Sequence, residues 1–144
     1  MRQLLLAFTT AASFVINAQT PIDQLQKNNL KFLESKEGEG FEFRSQIITE
    51  FDAENASQNV NIKLSEQYTY IIVALGDANV PQVNLSINPS NKAQIEAHST
   101  GENLIGQAFL LTPNKSDKFK ISINAEGLGE VDKGFISFMV LRKE

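Results

Sequence analysis

Tyr68-Thr-Tyr-Ile-Ile-Val-Ala-Leu-Gly-Asp77, followed at once by Ala-Asn-Val-Pro-Gln-Val-Asn-Leu-Ser-Ile87, is the stretch on which the fold turns. Tyr68 to Leu75 is apolar at nearly every position and β-branched in its middle, the composition of a central strand covered on both faces. Beyond Val80-Pro81, the residues Val83, Leu85 and Ile87 alternate with Asn84 and Ser86, so this second run buries one face and wets the other. The Gly76-Asp77 corner between them is either a working site or the place where a strand leaves a sheet. Gly and Asp are common in tight turns for local reasons of φ freedom and hydrogen bonding, which favours the second reading.

The same two-residue period extends in both directions. Phe41, Phe43, Ile47 and Phe51 share one parity against Glu42, Arg44, Gln46 and Glu50, as in a half-buried strand. Asp52 to Asn59 is polar and turn-like, and Val60, Ile62 and Leu64 then alternate with Asn61, Lys63 and Ser65. After the turn Asn88-Pro89-Ser90-Asn91, Ala93, Ile95 and Ala97 form a weaker strand. Leu104 to Leu111 is a continuous apolar run closed by Thr112-Pro113-Asn114. Phe119, Ile121 and Ile123 alternate with Lys118, Lys120, Ser122 and Asn124, and Phe135 to Leu141 follows a Gly-rich loop read as a long hairpin. Eight strand signals separated by turn chemistry predict an all-β chain over 41–144, an antiparallel β-sandwich of about eight strands, jelly-roll-like. No βαβ alternation, repeat or low-complexity linker interrupts it, and one domain is expected.

The first eighteen residues differ from all that follows. Arg2 starts a short basic region, Leu4 to Ile16 is apolar apart from Thr9, Thr10 and Ser13, and Ala18 stands where a signal peptidase cuts. This is the pattern of a secretory signal peptide over 1–18. Its apolar run is shorter than the roughly 20 residues needed to cross a bilayer. Cleavage would take 18 of the 144 residues and leave 126, one domain's worth, with the formal net charge moving from −4 to −5. The expected location is exported, periplasmic or extracellular, with no membrane span in the mature chain. The absence of cysteine leaves neither a disulfide framework nor a lipidation site behind the signal.

Residues 19–40 form either a short helix or a mobile leader. Thr20 can cap, Pro21 suits the first turn and Asp23 meets the orphan amides. Ile22, Leu25, Phe32 and Leu33 fall on one stripe, and Gly38 and Gly40 end the run near Lys36. The adjacent Asn28 and Asn29 weaken the helical pattern.

Catalytic residues are not evident: none is expected, nor a cofactor or metal. The single histidine, His98, sits in His98-Ser99-Thr100-Gly101, read as an exposed turn, and no Gly-x-Ser-x-Gly elbow is present. Paired acids for glycoside hydrolysis are unconvincing, because Glu42, Glu50, Asp52 and Glu54 alternate outward or lie in turns. No Cys/His cluster suggests zinc. Oxygen-rich corners at Asp77, Asn79 and Asn84, and at Asp52, Glu54 and Asn55, hold calcium-type ligands but match no EF-hand loop. The loop Gly127-Leu-Gly129-Glu-Val-Asp-Lys-Gly134 precedes a strand rather than the helix a phosphate cradle needs. Charges are interspersed along the chain, which argues against nucleic acid and against a polybasic membrane patch. Tyr68 and Tyr70 carry hydroxyls that need partners and could stand at a binding rim. The ligand-contacting candidates are therefore Tyr68, Tyr70, Asp77, Asn79 and Asn84.

The stretch Leu64-Ser-Glu-Gln-Tyr68-Thr-Tyr70-Ile-Ile-Val-Ala-Leu-Gly76-Asp77, with Val83-Asn84-Leu85-Ser86-Ile87 and Asn88-Pro-Ser-Asn-Lys92, resembles the bacterial pre-peptidase C-terminal (PPC-like) β-sandwich family. Phe109-Leu-Leu-Thr-Pro113 and Ser116-Asp117-Lys118-Phe119-Lys-Ile-Ser-Ile123 are similar to its apolar-Pro and Ser-Gly-Tyr segments, and the likeness spans roughly residues 58–142. Val83 or Asn84 stands where the family has aspartates, and Lys118 interrupts the Ser-Gly-Tyr pattern, so the acidic cluster of some relatives is mostly missing. The resemblance implies a secreted, non-catalytic domain, either accessory to a larger enzyme or standing alone. The function expected is an exported binding or interaction module, with a protein partner at the cell envelope, reached through Thr20–Gly40, or with a glycan as an accessory module. A small secreted hydrolase is the third reading.

Overall fold

The computed structural model describes residues 20–101 and 103–144. The expected signal peptide at 1–18 lies outside the described residues. Among the described residues one α-helix, α1 (Pro21–Glu37), precedes eight strands: β1 (Glu42–Asp52), β2 (Ser57–Leu64), β3 (Thr69–Gly76), β4 (Gln82–Asn88), β5 (Ala93–His98), β6 (Ile105–Pro113), β7 (Asp117–Glu126) and β8 (Lys133–Lys143). Each strand falls on its sequence signal. Every pairing is antiparallel, in a five-stranded sheet of order β1-β8-β3-β6-β5 and a three-stranded sheet of order β2-β7-β4. Together they form a β-sandwich-like fold.

The nesting is regular up to one point. β1 pairs with β8, β2 with β7 and β3 with β6, so the next pair inward would be β4 with β5. Instead β5 pairs with β6 and joins the larger sheet. The turn Pro89–Lys92 carries the chain between layers, held where Asn114 N–H donates to Lys92 O (2.9 Å) and Lys92 Nζ meets Asp117 Oδ2 (2.8 Å). The place beside β4 in the smaller sheet is thus left without a strand. Among the described residues only β5–β6 is a hairpin; the loop 127–132 crosses from one sheet to the other, and is not the hairpin its glycines suggested.

Parity decides what each face meets. On β3, Tyr70, Ile72 and Ala74 point between the sheets, where Phe119, Ile121 and Ile123 of β7 meet them. Ile71, Val73 and Leu75 point the other way and are covered by α1 through Leu25 and Phe32. Burying those two helix side chains contributes roughly 1.5–3 kcal/mol each. Thr20 caps the helix by accepting from Asp23 N–H (3.3 Å), Pro21 opens it and Gly38 follows its end.

Two expectations fail locally. In β1 the register shifts between Phe43 and Ser45, a bulge that reverses parity. Phe43 therefore points to the helix side, Ile47 and Phe51 to the interior, and only Phe51 is buried; Phe43 and Ile47 are 43% and 42% exposed. Along α1, Ile22 and Leu33 are only half-buried, and the middle of the stripe is Asn29, which is buried. Its Nδ2 donates to Ser137 Oγ (2.9 Å), which also accepts from Gln46 Nε2 (3.0 Å). The asparagine that weakened the helical pattern is part of how the helix docks.

Candidate binding surfaces

The corner that raised the first question is built into the frame. Asp77 is 2% exposed. Its Oδ1 accepts from Asn79 N–H (2.9 Å) and its Oδ2 from Phe135 N–H (2.9 Å), while its own N–H donates to Phe135 O (3.0 Å). The carboxylate thus ties the end of β3 to the start of β8. The packing admits no side chain opposite: a Cβ on Gly134 would lie 2.5 Å from Val80 Cγ2 and 3.0 Å from Asp77 Oδ1. Both carboxylate oxygens are engaged by backbone amides, and the chemistry left to Asp77 is structural. At Asp52 one oxygen, Oδ1, is engaged in this way, accepting from Glu54 N–H (3.0 Å) and Asn55 N–H (2.7 Å). Among the described residues, no three His, Asp or Glu side chains gather as metal ligands do.

The five candidate residues do not converge. Tyr70 is buried and its hydroxyl accepts from Ser65 N–H (2.9 Å). Tyr68 is half-buried, edge-to-face with Tyr70 at 6.1 Å, and carries the Arg142 guanidinium 4.1 Å over its ring. Asn79 is exposed at the corner. Asn84 stands on the other sheet, where it accepts from Gln82 Nε2 (3.3 Å). The tyrosine pair, the corner and the outer face of the small sheet are three separate places.

His98 is not in a turn but ends β5, half-buried. Its Nε2 is buried with no hydrogen-bond partner among the described residues. Burial holds the imidazole below its ordinary pKa of 6.5, Lys36 pushes it the same way and Glu39 opposes them. A nucleophile–base pair needs a hydrogen bond that this geometry does not supply.

Several surfaces among the described residues have room for a ligand, and three of them bear on function. The largest is a cleft of about 740 Å³ between α1 and the loop after β5, with Phe32, Leu104 and Ile105 below and Asn28, Lys31, Ser99 and Thr100 around it. A second lies where the smaller sheet lacks its fourth strand. This groove, about 450 Å³, is lined by Leu85, Ile87, Ala93, Ile95 and Phe109 with Ser86 and Ser90. Leu85 N–H turns away from β7 and donates to Gln107 Oε1 (2.7 Å), so by strand alternation the amide and carbonyl of Ile87 also face the groove. The third is the outer face of the small sheet, an array of amides, hydroxyls and lysines with no aromatic ring among its described residues. Sequence periodicity pointed to the wet parity of β4 and β7 but could not show that three strands align it, nor that β4 ends a sheet.

Compared with protein-family models, with curated proteins and with solved structures, the chain matches none of them.

Proposed function

We propose that this chain is an exported, non-catalytic binding module that takes an extended segment of a protein partner at the cell envelope. The observation that carries this reading is the vacant strand position beside β4. An apolar floor of Ile95 and Phe109 lies beneath a sheet edge whose Val83 and Ile87 backbone groups point outward. A β-strand suits both features, because its backbone pairs with the edge while alternate side chains reach the floor. Gln107 occupies one edge amide and would yield it to the incoming strand. The winding is jelly-roll-like with β5 transferred between sheets, and the resemblance to PPC-like domains supports a secreted, non-catalytic role. The segment Thr20–Gly40 spends Leu25 and Phe32 on its own sheet, which leaves the groove as the better candidate for the partner-binding element. A neutral-sugar module is less favoured, since the open sheet face offers no aromatic platform among the described residues.

A photo-crosslinking amino acid placed at Ile95 should trap one envelope protein from exported material whose mature sequence begins at Gln19. The same probe at Glu130 should trap none. Equal adducts from both positions, or loss of nothing when Ile87→Pro breaks the edge, would overturn the reading.

A further inference from the structure

The outer face of the small sheet forms an ordered array, legible row by row from the register. Lys63 lies opposite Lys118; Asn61, Lys120 and Asn88 form the next row; Asn59, Ser122 and Ser86 the third; Ser57, Asn124 and Asn84 the fourth. The third and fourth rows are tied internally, with Ser122 Oγ donating to Asn59 Oδ1 (2.8 Å) and Ser57 Oγ donating to Asn124 Oδ1. The lysine end is different. Lys63, Lys118 and Lys120 form no ion pair among the described residues, and the side chains of Asn61 and Asn88 have no hydrogen-bond partner there.

Like charges directly opposite on a sheet destabilise it, and the core beneath would be served as well by neutral residues. The cluster also runs against a chain of net charge −4. The acid of this face, Glu126, stands at its far end opposite Gln82, roughly 27 Å from Lys118 at the strand rise. Asp117, beside the lysines, is engaged by Lys92 at 2.8 Å, and Glu66 lies in the adjoining turn, where its N–H meets Ser116 Oγ (3.0 Å). The register therefore brings three lysines together on one face, next to amides without partners among the described residues.

We propose that this face binds a carboxylated polysaccharide, its acid groups on Lys63, Lys118 and Lys120 and its hydroxyls on Asn61, Asn88 and the rows behind them. Charge complementarity selects the anion, and the neighbouring amides select a hydroxyl-rich chain over a lipid surface. The face lacks the rings on which single-stranded nucleic acid stacks its bases. Lysine ammoniums act as flexible point charges and suit acid groups spaced along a polymer. This surface is separate from the strand groove and does not depend on it.

The test uses immobilised polygalacturonate, its neutral methyl ester, single-stranded DNA and phosphatidylglycerol vesicles with the mature protein. Polygalacturonate should retain the protein at low salt and release it near about 0.5 M, while the methyl ester should not bind. Lys118→Gln with Lys120→Gln should weaken retention about tenfold or more and leave the melting temperature unchanged or higher, since a like-charge contact is removed. Crosslinking at Ile95 should persist in that variant. Equal binding to DNA or vesicles would overturn the proposal, as would retention undiminished in the double variant. A melting temperature lowered by several degrees would instead assign the lysines to stability and end it too.

Discussion

The two sheets turn unlike outer faces to their surroundings. The five-stranded sheet is apolar on both sides: Ile71, Val73, Leu75, Met139 and Leu141 point away from the sandwich interior and are capped by α1. The three-stranded sheet carries Ser, Asn and Lys along its outer face, with Gln82 and Glu126 at one end. A sheet with two greasy faces needs two covers, and the chain devotes its first described element to the second one. The difference teaches that the helix belongs to the fold's core. The outer face of the small sheet has no such cover among the described residues.

The comparison breaks most visibly at the helix. Phe32→Ala removes the largest side chain that α1 buries and should destabilise the protein by about 3–5 kcal/mol in chemical denaturation. A loss below about 1 kcal/mol would mean that the cover is dispensable and the two faces are alike after all.

A smaller effect follows from the edge of the same covered face. His98 shares that face with Ala108 and lies near Lys36 and Glu39 of the helix end. Its pKa in the folded protein is below 6.5, because burial and Lys36 oppose the charged form more than Glu39 favours it. Above about pH 7 folded and unfolded chains are both neutral there and His98 contributes no pH dependence. As pH falls through 6.5 the unfolded chain takes up the proton first, so stability drops until the lower folded pKa is passed. The melting temperature should therefore fall more between about pH 7 and pH 5 in the wild type than in His98→Gln. Identical slopes would show that the helix end leaves the imidazole fully hydrated.

The smallest effect belongs to the open face. Asn59→Ala deletes one member of an exposed hydrogen-bonded row and should change stability by no more than about 0.5 kcal/mol. A larger loss would show that the polar array holds the sheet together, and the contrast between covered and open faces would narrow.

Much of this was legible in the chain because burial writes itself at period two. The unbroken apolar run Tyr70–Leu75 announced a strand with two covered faces, and the alternation from Lys118 to Asn124 announced one with a wet side. The failures have separate causes. A single unpaired residue at Arg44 inverts parity along β1, and no composition signal marks it. Asn29 looked like a helix-weakening residue because its partner, Ser137, is 108 positions away. The polar neighbours of His98 suggest an exposed turn, although it ends a strand and is half-buried. The sites scattered most: Tyr70, Asp77 and Asn84 carry site-like chemistry, yet two are consumed by backbone amides and the third belongs to a face whose lysines come from different strands.

What the residues determine alone is local: where each strand runs, which parity is apolar, how the helix begins and ends. These follow from turn chemistry, capping and the two periodicities of the backbone, and they need no distant partner. Tertiary structure alone decided which sheet each strand joins, that β5 leaves β4 unpaired, and that Lys63 meets Lys118 across a face. Such outcomes depend on hydrogen bonds between segments far apart in sequence, and a free edge or a cationic cluster exists only once those segments have met.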